Sequence, residues 1–250
     1  MSLNIITIIL PNYNSEKYLD DTLKSIISQS YKDWNLKIVD DNSNIETLNI
    51  LKKYENEKNF EITYLKNNMG AGYCRNLAIK NTNSKYIAFI DSDDIWEKNK
   101  LLNQLNFMEK NNFQFTYTSY RTFNGINGKE NFINPPKLFN YKKFIKNTSI
   151  ATSTMMILRE SINDIRFSDT KICEDYFFKC ALLKKIGSAH LLDQILTRYR
   201  IRKDSLQSNK FRNLYWIWKI NKEMNNLNFF ENFFSLLMIS INSIKKYGYK

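Results

Sequence analysis

Histidine is nearly absent from this chain: His190 is the only one in 250 residues. One imidazole excludes every constellation that needs two, the H-E-x-x-H zinc pattern and His-oriented triads among them. Proton transfer, if the chain performs any, then falls to a carboxylate. His190 itself stands just before Leu191-Leu192 and reads as a structural residue. Cysteine is scarce too. Cys74, Cys173 and Cys180 are odd in number and form no C-x-x-C pair, which argues against a disulfide framework or a thiolate zinc site and suits a reducing compartment. Three prolines and six glycines exclude the low-complexity and disordered classes. No apolar run approaches the roughly 20 residues of a membrane span. The short run from Ile5 to Leu10 ends at Pro11 with no basic region before it, and reads as a first strand rather than a signal peptide. Runs of like charge are also missing. Lys and Arg exceed Asp and Glu by 12, but the lysines come in ones and twos. That pattern describes a solvated surface rather than a nucleic-acid footprint, while an anionic membrane surface or a nucleotide ligand stays open.

What the chain does have is a core. Hydrophobic residues make up 43% and aromatic residues 14%, enough for one large domain, or one domain with a helical appendage. The first half alternates between two periods. Ile5 to Leu10, Trp34 to Val39, Ile62 to Leu65 and Tyr86 to Ile90 are short apolar runs that read as strands. Between them lie helical stretches: Ser15 onward through Leu19, Leu23 and Ile26, then Thr47 to Tyr54, Gly70-Ala71-Gly72 leading through Arg75 and Leu77, and Leu101 to Met108. Strand-helix alternation predicts parallel strands with helices on both faces. Past residue 112 the pattern changes. Phe113 to Phe123 alternates, Asn124-Gly125 and Asn127-Gly128 mark turns, and Pro135-Pro136 opens an irregular stretch. Thr152 to Leu158 and Ile195 to Ile201 are strand candidates. Asp175 to Lys185 and everything after about residue 209 read as helix.

Ligands of open parallel sheets bind beyond the carboxyl ends of the strands. Three such ends here carry polar clusters: Pro11-Asn12-Tyr13-Asn14, Asp40-Asp41 and Asp91-Ser92-Asp93-Asp94. Carboxylates packed this closely repel one another, and at least one should hold its proton unless a cation relieves them. Mg²⁺ or Mn²⁺, taking one or two carboxylates and leaving its other positions to phosphate oxygens, is the simplest relief. The competing reading makes Asp93 and Asp94 the start of the helix after Trp96. Gly70 and Gly72 could let backbone amides approach a phosphate or could be a plain helix entry, and Arg75 could pair with a carboxylate or a phosphate. Glu174-Asp175 is either an N-cap or the site of a general base.

The motifs P-N-Y-N, V-D-D-N-S, N-M-G-A-G-Y-C-R-N, F-I-D-S-D-D and C-E-D-Y, in this order and spacing, resemble family 2 glycosyltransferases of the GT-A fold, over roughly residues 4 to 206. The resemblance implies an α/β fold with a mainly parallel, Rossmann-like sheet: a catalytic domain over 1–206, with a donor half (1–112) and an acceptor half (113–206), and a helical extension over 207–250. It implies a nucleoside-diphosphate sugar as donor, with uridine the first choice of base, and Mn²⁺ or Mg²⁺ as cofactor. Carried over by residue, Pro11, Tyr13, Asn14, Asp41, Gly70, Arg75, Asp91, Ser92 and Asp93 would form the nucleotide-sugar site, Tyr13 near the base and Asp41 accepting from its edge. Asp93 and Asp94 would be metal ligands. Asp175 would be the base of an inverting transfer to a hydroxyl of a glycan or lipid-linked acceptor, in the assembly of bacterial surface polysaccharide. One departure stands out. Many relatives carry Y-R-x-H near the last strand, whereas this chain has Tyr199-Arg200-Ile201-Arg202. Arg202 cannot ligate a metal but can pair with phosphate.

In the tail, Phe230, Phe234, Leu237, Ile241 and Ile244 fall at helical spacing, with Lys245, Lys246 and Lys250 after them. The helix they predict packs on the catalytic domain or on a second copy, or lies on an anionic membrane at the inner face of the cytoplasmic membrane. Three rival readings remain at this level: a sugar-nucleotide pyrophosphorylase, which would want a glycine-rich loop after the first strand; a silent binding protein on the same fold; and a basic nucleic-acid binder, which the dispersed lysines disfavour.

Overall fold

The computed structural model describes residues 5–123, 130–202 and 209–247; the expected Asn124-Gly125 and Asn127-Gly128 turns, and Lys203, Asp204, Ser205 and Lys250, lie outside the described residues. The first half runs β1 (Ile6–Asn12), α1 (Leu19–Ile27), β2 (Trp34–Asp40), α2 (Ile45–Lys52), β3 (Phe60–Tyr64), α3 (Ala71–Lys80), β4 (Tyr86–Phe89), β5 (Ile95–Trp96) and α4 (Lys100–Asn111). The second runs β6 (Phe115–Phe123), β7 (Asn131–Ile133), β8 (Leu138–Phe139), α5 (Tyr141–Phe144), β9 (Met156–Leu158), α6 (Glu174–Ile186), β10 (Ala189–Arg200), α7 (Lys210–Glu223) and α8 (Phe229–Tyr247).

The strands form one mixed sheet in the order β3-β2-β1-β4-β9-β6-β10-β5, with β7 on β6 and β8 on β10. β3, β2, β1 and β4 are parallel, as are β6 and β10. The short β9 runs antiparallel to both β4 and β6 and joins the two parallel groups. The chain leaves β1 toward β2 and β3, then returns to β4 on the other side. The crevice beyond the ends of β1 and β4 is therefore the switch point where such sheets bind ligands.

Strand pleating divides the core. Ile8, Leu10, Ala88 and Ile90 point to a cluster shared with Leu19, Leu23, Leu101 and Leu105 of α1 and α4, while Ile9, Ile87 and Phe89 point to one shared with Cys74, Ala78 and Phe178 of α3 and α6. Both faces of these strands are buried, so their sequences are continuous apolar runs rather than alternating ones. The three cysteines are free and buried.

Two expectations need correction. The strand expected over Thr152 to Leu158 is only three residues long. Thr152–Thr154 is a 3-10 turn instead, closed by the amides of Thr154 and Met155 on the carbonyls of Ala151 and Thr152 at 3.0 and 3.1 Å. The continuous helix expected after residue 209 is broken between α7 and α8, where Asn226 takes a left-handed φ of 57° and Asn228 starts α8 by accepting from the Glu231 amide at 2.9 Å. The elements β5, β7, β8 and α5, two to four residues each, are too short to carry a periodicity.

Candidate active site

The loops after β1 and β2 are stitched to each other. Asn12, fully buried, donates to Asp40 at 2.7 Å. The Ser43 hydroxyl donates to Asp40 and accepts from the Asn14 amide at 3.0 Å. The Asn14 side chain accepts from the Asn44 amide at 2.8 Å. Asn14 and Asn42 both take left-handed φ values, 44° and 63°, a conformation asparagine tolerates. The result is a fixed rim beside Pro11 from which Tyr13 projects, half exposed.

Asp41 ties this rim to α3. Its carboxylate accepts from the amides of Met69 at 2.6 Å and Gly70 at 2.8 Å. Gly70 has φ +89°, which no L side chain adopts without strain. Gly72, at the start of α3, allows a close approach: a Cβ there would stand 2.8 Å from the Ser168 carbonyl and 3.0 Å from Cγ of Glu174. One turn on, Arg75 is buried and forked. Its Nη2 donates to Asp91 at 2.6 Å and its Nη1 to Glu174 at 2.7 Å. A single guanidinium thus joins the end of β4 to the start of α6. Burial opposes the charge on Arg75, but Asp91, Glu174 and Asp175 raise its pKa further.

The aspartate cluster that follows β4 is sorted by its partners. The Asp91 amide donates to the Ser153 hydroxyl at 3.0 Å, and that hydroxyl donates to Asp94. The other Asp94 oxygen accepts from the Arg200 amide at 2.9 Å. Asp94 is fully buried, so this candidate metal ligand has both oxygens occupied inside the protein. Its pKa is pushed well up, first by burial and then by Asp93 and Asp91. Asp93 is more open. Its carbonyl accepts from Nε of Arg200 at 2.9 Å. Its carboxylate lies 2.8 Å from Nε of Arg202, an ion pair off the hydrogen-bond line. Burial, opposed by Arg202 and helped by Asp91, raises the Asp93 pKa to about 6. Neither Asp93 nor Asp94 starts a helix, since α4 begins at Lys100. Ser92 adds its carbonyl, which accepts from Thr22 at 3.1 Å.

The E-D pair opens α6 behind Cys173, which takes a left-handed φ of 62°. Glu174 faces Arg75; burial outweighs the guanidinium, and its pKa is raised. Asp175 faces the other way. Its Oδ2 accepts from Nζ of Lys179 at 2.7 Å and from the Thr152 hydroxyl at 3.0 Å. Lys179 is itself buried and also donates to the Ile150 carbonyl at 2.9 Å. Burial alone would raise the Asp175 pKa, but Lys179, Arg75 and Thr152 together hold it down at about 2.

The structure thus gathers Asp91, Ser92, Asp93, Arg75, Arg202 and the E-D pair at one end of the sheet, with the Tyr13 and Asp41 rim tied to it through Gly70. Sequence reasoning did not single out Ser153, Thr152, Lys179 or Arg200. Two of these carried a signal. Lys179 is four residues from Asp175 on a helix, and Arg200 is two residues from Arg202, the spacing of side chains on one side of a strand. His190 lies at the start of β10, ten residues from Arg200, stacked on Phe113 with ring centroids 3.7 Å apart.

Among the described residues, no group of three or more His, Cys, Asp or Glu side chains is placed to hold a metal by itself. The donor set still fits a divalent cation that takes hard carboxylate oxygens and completes its shell with phosphate. Asp93 and Asp91, both partly open to solvent where Asp94 is fully buried, are the carboxylates that would receive it.

Comparison with known proteins gives this arrangement a family. Residues 7–166 match the family described as Glycosyl transferase family 2. TuaG of Bacillus subtilis (strain 168), a glycosyltransferase assigned to teichuronic acid biosynthesis, is 34% identical over 245 residues, 97% of each chain. WfgD of Escherichia coli, named as a UDP-Glc:alpha-D-GlcNAc-diphosphoundecaprenol beta-1,3-glucosyltransferase, is 34% identical over 219 residues, 86% of this chain and 85% of WfgD. Among solved structures, S. aureus TarS 1-349 in complex with UDP-GlcNAc superposes with a TM-score of 0.73 at 22% identity, covering 96% of this chain and 72% of that one. The mannosyltransferase PcManGT from Pyrobaculum calidifontis, in complex with GDP-Man and Mn2+, superposes with a TM-score of 0.70 at 12% identity, covering 100% and 77%. The chain has the GT-A fold and belongs to glycosyl transferase family 2.

Proposed function

We propose that this glycosyltransferase moves a sugar from a nucleoside-diphosphate donor, with uridine as base, to a hydroxyl of a lipid-linked or glycan acceptor in bacterial cell-surface polysaccharide synthesis, inverting the anomeric centre. The observation that carries the reading is the Arg75 fork, which joins Asp91 on the donor side to Glu174, and through it Asp175, at distances of 2.6 and 2.7 Å. It is the arrangement a displacement needs: a diphosphate-binding cluster and a basic oxygen on one rigid frame. The acceptor class is suggested by the diphosphoundecaprenol in the name of WfgD.

In this reading Pro11, Tyr13, Asn14, Asp41 and Gly70 form the rim that receives base and ribose. Asp91, Ser92 and Asp93 line the diphosphate and sugar, and Arg202 pairs with phosphate oxygens. Asp93, with Asp91 beside it, would hold Mn²⁺ or Mg²⁺, which would supply positive charge against the departing diphosphate. Asp94 stands behind, fixing Ser153 and the Arg200 backbone. The second Asp175 oxygen, Oδ1, faces the acceptor hydroxyl and takes its proton as the oxygen attacks the anomeric carbon and the bond to diphosphate breaks. Lys179 keeps Asp175 ionised and in place, which favours orientation over base strength.

A thermal-shift panel of UDP, GDP, CDP and dTDP, with and without Mn²⁺, tests the donor site on wild type and Asp93→Ala. One nucleotide, expected to be UDP, should raise the melting temperature of wild type in the presence of metal and lose that effect in the variant. Turnover of the matching sugar nucleotide should then fail in Asp175→Asn while the thermal shift persists. No shift with any nucleotide would sink the reading.

A further inference from the structure

α8 packs on the body through one face only. Asn232, Ser235 and Ile239 are buried. The Ser235 hydroxyl donates to the Ile145 carbonyl at 2.5 Å, and Asn242 donates to the Lys146 carbonyl at 2.9 Å. Asn221 of α7 donates to both Asn232 and Ser235 at 3.1 Å. Buried polar contacts of this kind fix the rotation of a helix about its axis, so the opposite face is a defined surface rather than a frayed tail.

That outer face is aromatic and bare. Phe230, Phe234, Leu237 and Ile241 repeat at helical spacing with Phe229 and Phe233 beside them, and Phe230 is 81% exposed. Contiguous apolar surface of this extent on a soluble domain marks an interaction site. α8 is not a span: among the described residues no helix is long and apolar enough to cross a membrane.

Charge decides the occupant. Residues 209–247 carry Lys210, Arg212, Lys219, Lys222, Lys245 and Lys246 against only Glu223 and Glu231. Glu231 is turned back on the helix start, accepting from the Asn228 amide at 3.0 Å. The segment beneath α8, residues 137–147, has four lysines and no acid. One of them, Lys146, lies 4.9 Å from the centroid of the Phe234 ring. We propose that this face seats the enzyme on an anionic lipid surface, the aromatic stripe at the boundary of headgroups and acyl chains and the lysines against lipid phosphates. A second copy fits less well, because it would bring two surfaces of the same net positive charge together, whereas lipid phosphates offset that charge. The inference rests on the C-terminal helices and the segment beneath them, and stands apart from the donor assignment.

Vesicle flotation of the full chain tests it, using phosphatidylglycerol mixed equally with phosphatidylcholine against phosphatidylcholine alone. Wild type is expected to float with the anionic vesicles only, and less in high salt. Phe230→Glu/Phe233→Glu and Lys142→Gln/Lys245→Gln, the two lysines being exposed, are each expected to weaken that binding at least about tenfold, with melting temperature and nucleotide-induced shift unchanged. Absence of binding to anionic vesicles, or binding that survives the phenylalanine substitutions, overturns the proposal. So does a wild-type dimer at micromolar concentration that those substitutions dissolve, which would assign the face to a second copy.

Discussion

Lys179→Met keeps most of the side-chain volume and removes one buried charge, and its consequences follow from the Asp175 contacts. In the wild type, Asp175 is held at about 2 against an ordinary value of 3.8. A difference of that size is worth about 2–3 kcal/mol of stability at neutral pH. The depressed value means the contribution is complete above pH 3.8 and is lost as pH falls toward 2. Without the ammonium, burial acts with less opposition, since only Thr152 at 3.0 Å and the charge of Arg75 remain. The Asp175 pKa then rises above its ordinary value. Breaking a buried pair in this way costs about 3–5 kcal/mol, roughly 10 °C in melting temperature for a chain of this length. In the variant, protonating Asp175 relieves the strain, so the gap to wild type should be widest at pH 7 and narrow as pH falls toward 4.5.

The assay is a set of thermal melts over that pH range, joined to a double-mutant cycle. Asp175→Asn/Lys179→Met removes both charges and should recover about 2 kcal/mol or more relative to Lys179→Met alone. The acid limb of donor turnover should also move upward in Lys179→Met, because the base would lose its charge at higher pH. A gap independent of pH, together with no recovery in the double variant, refutes the reasoning. Lys179 would then act through its 2.9 Å hydrogen bond to the Ile150 carbonyl, not through Asp175.

Three further outcomes are expected. Gly72→Ala places a Cβ 3.0 Å from Cγ of Glu174 and 2.8 Å from the Ser168 carbonyl, so Glu174 must shift against Arg75; donor turnover should fall by about tenfold or more while the nucleotide-induced thermal shift is retained. Gly70→Ala meets open space but needs φ near +89° with ψ 157°; urea unfolding should show a loss of about 1–3 kcal/mol from backbone strain alone. Lys100 is fully buried, its Nζ without a hydrogen bond and 4.0 Å from the Trp96 ring centroid, and burial lowers its pKa. Because the unfolded chain binds the proton more tightly, wild-type stability gains from Lys100 as pH rises; Lys100→Met should therefore be the more stable protein at pH 7, with the advantage shrinking as pH approaches 10.5, measured by urea melts at several pH values.

The fold was legible in the first half because apolar runs and helical periods alternate there without interruption, and strands buried on both faces leave a strong signal. β9 was legible only in part, for a physical reason. Of the seven residues Thr152 to Leu158 that read as a strand only Met156–Leu158 pair, and their direction is set by partners in β4 and β6 rather than by their own pattern. Its position had a consequence for the site. The 3-10 turn before β9 delivers Thr152 to Asp175 and Ser153 to Asp91 and Asp94, contacts spanning 23 to 62 residues of chain. No local motif announces a hydroxyl whose role exists only after the sheet has closed.

The E-D pair shows the limit most clearly. Glu174 and Asp175 are chemically alike and adjacent, so composition and spacing treat them as one feature. On a helix, however, successive side chains diverge by about 100°, and different elements meet them. Glu174 turns to Arg75 of α3, where burial outweighs the guanidinium and its pKa is raised; Asp175 turns to Lys179 and the turn before β9, whose contacts overcome burial and hold it down at about 2. Different partners on different elements thereby separate two adjacent acids into a clamp and an ionised oxygen. The pattern alone places a carboxylate at the start of α6. Which of the two faces an acceptor depends on the packing of three elements, and the Asp175→Asn and Lys179→Met variants interrogate that packing directly.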